Sequence, residues 1–241
     1  MNDVRLQPKK RRWLPVRRLL LAIGGIGAGG LCILLVLLYL AYRQGRIEQE
    51  VVADLLSKSP GGSAQVDILP TWRNRLYDLL GIPKPVTDLC LKGNQINDDD
   101  LARLESLQRL TSLSLDQCPI TDDGIREIAK LRTLTHLNLF GCDDITDTSF
   151  TYLGTMRSLE MLDVAAFAPK ITGRNIQSLS ALPNLGTLNL VDCLEISEDA
   201  VQPLASLTHL DTLDIRGTSI SEEGAKRLRR ALPNTIVLAD D

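Results

Sequence analysis

Three cysteines share one local pattern, Leu115-x-x-Cys118, Leu139-x-x-Cys142 and Leu190-x-x-Cys193. Thiolates are nucleophiles and soft-metal ligands, so the chemistries to weigh first are zinc binding, disulfide formation and covalent catalysis. Structural zinc needs ligand pairs two to four residues apart, and these cysteines are 24 and 51 residues apart. Asp98-Asp99-Asp100 supplies oxygen ligands for calcium, but no spaced oxygen-ligand loop follows it. The two histidines, His136 and His209, have no serine or cysteine partner at a recognisable spacing, and no glycine-rich phosphate loop is present. The chain is expected to be no enzyme and to carry no cofactor and no metal. Buried free thiols are the expectation for Cys118 and Cys142, with a disulfide between them in an oxidising compartment as the alternative.

What positions these cysteines is a phrase that recurs along the chain. Leu110-x-x-Leu113-x-Leu115-x-x-Cys118 returns as Leu134-x-x-Leu137-x-Leu139-x-x-Cys142 and as Leu185-x-x-Leu188-x-Leu190-x-x-Cys193. Weaker copies begin at Val86, Leu159 and Leu210, so successive starts lie 24, 24, 25, 26 and 25 residues apart. This period and internal spacing are the signature of a leucine-rich repeat solenoid. In each unit the alternating apolar residues predict a short strand with one face inward. A helix start follows, as in Ile120-Thr121-Asp122-Asp123-Gly124, where an N-cap residue precedes acids that the helix dipole favours. The fold class is therefore α/β, with about six strand–helix units over residues 86–241 and a terminal cap strand in Leu232–Leu238. Such units must stack to bury their apolar faces.

A different composition precedes the array. Leu19–Tyr42 carries no charge, and 24 residues of helix at about 1.5 Å each are long enough to cross a bilayer. Residues 1–18 hold seven basic side chains and one acid, which places the N-terminus in the cytoplasm and the repeats outside it. The organisation expected is a basic tail (1–18), a single transmembrane helix (19–42), a juxtamembrane helix, linker and N-terminal cap (43–85), then the repeats. A cleaved signal peptide is the rival for residues 19–42, but the run is too long for that and no small-residue cleavage site closes it. Gly25-x-x-x-Gly29 would let two such helices approach closely and form a homodimer; glycine simply tolerated in the span is the bland alternative. Trp72, Leu76, Leu79 and Leu80 are expected to cap the first repeat.

Without the tail, 20 Lys+Arg face 29 Asp+Glu, about −9. That balance argues against nucleic acid, which selects a basic face. The remaining functional candidate is the concave sheet. Its outward positions place Phe140, Met161 and Val191 as an apolar spot among Asp116, Asp163, Asp214 and Arg216, an anchor for a protein partner. A single aromatic on a solenoid face is also ordinary. Phe167, in an irregular fourth unit, falls in the slot that the cysteines fill elsewhere.

The cysteine slot followed by Ile-Thr-Asp-x-Gly resembles the cysteine-containing leucine-rich repeats of F-box-type substrate adaptors, although no F-box stands before the array. A transmembrane helix, a Trp-bearing cap and the ending Glu223-Gly-Ala-Lys-Arg-Leu-Arg-Arg-Ala-Leu-Pro233 more closely resemble uncharacterised single-pass bacterial repeat proteins. The resemblance covers residues 43–241, implies protein binding, and transfers no site residues. The expected function is a membrane-anchored protein-interaction module using the concave face. The alternatives are a self-associating structural envelope component and, with inverted topology, a cytosol-facing adaptor.

Overall fold

The computed structural model describes residues 28–66, 77–166 and 170–240. They fall into two compact units. One holds the described residues up to Arg46 together with those of Ile68–Lys84; the other holds Ile47–Asp67 and Pro85–Asp241.

The second unit is built on one eight-stranded sheet whose strands follow chain order. Strand β1 (Ser63–Val66) pairs antiparallel with β2 (Val86–Lys92). From β2 onward every pairing is parallel, through β3 (Ser112–Asp116), β4 (His136–Asn138), β5 (Met161–Asp163), β6 (Thr187–Asn189), β7 (Thr212–Asp214) and β8 (Ile236–Leu238). The register matches equivalent repeat positions, so Leu89, Leu113, Leu137, Leu162, Leu188, Leu213 and Val237 form one buried row. Alternation within each strand sends these residues to the core and their neighbours to the other face. The predicted terminal cap strand is β8.

Helices return the chain on the core side: α2 (Asp98–Ala102), α3 (Asp122–Ile128), α4 (Ser149–Leu153), α5 (Val201–Ala205) and α6 (Glu222–Ala231). Apolar residues at three-residue spacing, such as Ile125, Ile128 and Leu131, are buried against the strand leucines. The fourth unit carries only a 3-10 turn, Ile176–Ala181. Its helix start, Gly173-Arg174-Asn175, has Gly173 at φ +87° and Asn175 at φ +64°, and a left-handed residue stops α-helix growth.

The N-terminal region corrects the expectation. A single helix, α1 (Ala28–Lys58), replaces the separate transmembrane and juxtamembrane helices. Among the described residues no helix is long and apolar enough to cross a membrane. Residues 1–27, with the basic tail, the start of the expected span and Gly25, lie outside the described residues. The transmembrane helix and the single-pass localisation drawn from it are therefore withdrawn.

The end of α1 lies against the first repeat unit. Trp72 and Leu76 lie outside the described residues, and Leu79 is exposed. Val52 and Leu55 of α1 are buried in one core with the repeats. Lys58 Nζ reaches Asp100 Oδ1 at 2.5 Å, and Arg103 reaches Asp54 at 2.5 Å, joining the end of α1 to the first repeat helix. Ser59-Pro60-Gly61 ends α1 as its composition predicts, with Gly61 at φ +85°.

Candidate functional site

The cysteine column is structural. Cys142 Sγ donates to Leu115 O at 3.1 Å and Cys193 Sγ to Val164 O at 3.3 Å, each a carbonyl of the preceding unit; Cys118 Sγ lies 3.8 Å from Leu91 O. All three are buried free thiols. Burial pushes each thiol up to about 12, so at neutral pH they are neither nucleophiles nor ligands. His209 is likewise part of the packing, since burial lowers its pKa and leaves Nε2 without a hydrogen-bond partner. No group of three or more His, Cys, Asp or Glu among the described residues is placed to hold a metal ion.

The acids that open the repeat helices serve the neighbouring unit, which spacing alone did not reveal. Asp98 accepts the N–H and hydroxyl of Thr121, Asp122 those of Thr146, Asp147 those of Thr172 and Glu198 those of Ser221. The fourth unit has Gly173 in this place and breaks the ladder. Asp98-Asp99-Asp100 is thereby accounted for: Asp98 belongs to the ladder, and Asp100 closes a capping box with Asn97 while pairing with Lys58.

Helices cover one face of the sheet, and the other holds the predicted contact residues. Phe140 and Met161 are exposed (39% and 42%), but they do not form one spot. Phe140 follows the end of β4, and Met161 begins β5. Four residues of strand, about 13 Å, separate those two rows. Phe140 lines a depression at the strand ends with Gln117, Pro119, Gly141, Asp143 and Asp144. Met161 lines another of about 380 Å³ at the strand starts, with His136, Glu160, Asn184, Gly186 and Asp211. Val191 is half-buried and borders neither.

The charged candidates are largely engaged within the fold. Asp163 Oδ1 accepts the Ala165 N–H at 2.9 Å and Oδ2 the Asn189 amide at 3.0 Å. Asp214, 8% exposed, is held by Arg216 through Nε at 2.9 Å and a terminal nitrogen at 2.6 Å. Lys92 pairs with Asp116 at 2.9 Å. The middle column (Asn138, Asp163, Asn189, Asp214) uses its side-chain oxygens to accept the N–H two residues on. Each such bond holds the strand exit in place, leaving little of that column free for a partner. For Gly29, in α1, no partner is described, and Phe167 lies outside the described residues.

The profile of a family described as Leucine Rich repeat matches residues 106–129 and 130–151. No curated protein matches the chain. Among solved structures, the chain is similar to an internalin (inlF) from Listeria monocytogenes, at 25% identity and a TM-score of 0.45, covering 58% of this chain and 37% of that one. An internalin C2 from the same organism shares 26% identity with a TM-score of 0.40, over 67% of this chain and 73% of that one. A chain of the Rad7 and Elc1 complex in yeast shares 18% at a TM-score of 0.39, over 68% and 57%. The chain thus spans little more than a third of the first internalin's length. Residues 106–151 carry leucine-rich repeats, a repeat class that suggests a protein–protein interaction module.

Proposed function

We propose that residues 86–241 form a recognition module that binds a protein partner on the open face of the sheet, with Phe140 as its apolar anchor. The observation that carries this reading is the exposed Phe140 ring beside a depression on a sheet whose opposite face is buried under helices. An exposed aromatic beside a concavity is the kind of residue that becomes an interface hot spot, where truncation costs about 2 kcal/mol or more. Its backbone is already fixed, because the Phe140 N–H is donated to Asn138 Oδ1 at 2.8 Å, so docking does not have to order this turn.

The test is in-cell crosslinking of the 241-residue chain and of Phe140→Arg, followed by identification of what is captured. A distinct protein lost from the variant, with the variant's unfolding midpoint unchanged, supports the proposal. The same protein captured equally by both removes the Phe140 depression from the interface.

A further inference from the structure

We infer that the depression at the strand starts is a socket for a lysine or arginine side chain of the protein partner. The inference rests on the open-face reading and names the chemistry that this part of the face selects.

The socket arises from one register position. The residue immediately before each strand is Thr111 and Thr135 in the second and third units, then Glu160, Gly186 and Asp211 in the next three. The threonines cover their own row: Thr111 Oγ1 donates to Thr87 O, and Thr135 Oγ1 to Thr111 O, both at 3.1 Å. Gly186 ends this cover and leaves a notch. A Cβ added there would lie 2.8 Å from Asp211 Oδ2, so the Asp211 carboxylate leans across the gap. Glu160 stands on the other side, and two strand spacings, about 10 Å, separate the two backbones. The Asp211 carboxylate over Gly186, with Glu160 on the far side of the same depression, is placed to pair with an ammonium or guanidinium head that enters it.

Charge complementarity selects the occupant. Glu160 and Asp211 are exposed, and neither side chain has a hydrogen bond or ion pair among the described residues. On the same face Lys92 pairs with Asp116 and Arg216 with Asp214, and the basic side chain that lines the depression itself is His136. The whole of residues 86–241 holds 14 Lys+Arg against 24 Asp+Glu, a net charge of −10. Met161 forms the apolar wall beside the notch, suited to the methylene stem of a long basic side chain whose charged head reaches the carboxylates. An acidic or purely apolar occupant would leave two carboxylates desolvated and unpaired.

The test pans a random twelve-residue peptide library on the 241-residue chain and measures the enriched peptides by fluorescence polarisation. Three variants are compared: Glu160→Gln/Asp211→Asn, Gly186→Thr, and a charge-matched control, Glu105→Gln/Asp199→Asn, at exposed acids of the helical turns. The expected result is peptides bearing Lys or Arg that bind the first two variants about ten-fold more weakly and the control unchanged. Replacing that Arg by citrulline, which keeps the shape and removes the charge, should give the same loss. Gly186→Thr keeps the net charge while filling the notch and pushing the Asp211 carboxylate out of it, so its effect separates a socket from net charge. The inference is overturned by peptides without Lys or Arg, by equal weakening in the control, or by a selection that returns no binder. Peptides sensitive to Phe140→Arg but not to the socket variants would retain the open-face reading and remove the socket. Peptides insensitive to every face variant would remove both.

Discussion

The carboxylate of Asp122 accepts the backbone N–H of Thr146 at 2.9 Å and its hydroxyl at 2.6 Å, binding the helix start of one repeat to that of the next. Ser149 adds a third donor. Burial opposes ionisation of Asp122, but the hydrogen bonds from Ser149 and Thr146 outweigh it and hold the pKa below the ordinary carboxylate range. One acid therefore works at a unit boundary, where a repeat protein gains the stability that no unit has alone.

Asp122→Ala should lower stability at pH 7 by about 2 kcal/mol, the worth of hydrogen bonds to a charged group. Because the folded pKa lies below the unfolded value of about 3.9, the charged acid contributes fully above that pH. Its contribution is lost as pH falls through the folded pKa. Guanidinium unfolding at pH 7 and at pH 3 checks this: the gap between wild type and variant should narrow at the lower pH. A gap that is equal at both would mean that the ladder does not depend on charge.

The residue following each strand row adopts a left-handed conformation in six consecutive units: Gly93, Gln117, Gly141, Ala166, Asp192 and Gly217. A Cβ on Gly217 would also collide with Asp192. Gly217→Ala should therefore cost about 2 kcal/mol or more, combining the left-handed penalty with that contact. Gln117→Gly relieves the same penalty, offset by the entropy of a new glycine, and should change stability by less than about 1 kcal/mol. Thermal unfolding of the two variants decides it, and equal destabilisation would refute the assignment.

In a Cys32→Ser background, an aromatic disulfide reagent at pH 8 should label half-buried Cys90 first. Burial holds Cys118, Cys142 and Cys193 near 12, leaving roughly one thiol in ten thousand ionised. These three should react only after unfolding in guanidinium. Native-state labelling of Cys142 at the rate of Cys90 would show that the unit boundary opens.

Much of this was legible before any coordinates. Leu113, Leu137, Leu162 and Leu188 align because a two-residue strand period inside a 24–26-residue repeat allows one register. The membrane reading came from the uncharged run Leu19–Tyr42; among the described residues, which hold the part of that run from Ala28 onward, no helix is long and apolar enough to cross a membrane. Asp163, Asp214 and Arg216 read as free surface charges because strand alternation points them away from the leucine row. Their partners, the Ala165 N–H, the Asn189 amide and each other, depend on ångström-scale distances that spacing does not carry.

By itself the amino-acid order determined the repeat, the inward row and the slot of each cysteine, because these follow from periodicity along one chain. Only the tertiary structure decided what crosses between units. It set which acid caps which threonine, put Phe140 and Met161 at opposite rims, and opened a notch at Gly186 between Glu160 and Asp211. The capping pairs and the two acids beside Gly186 join residues about 25 to 50 positions apart in sequence, and those relations exist only once stacked strands bring them within about 5–10 Å.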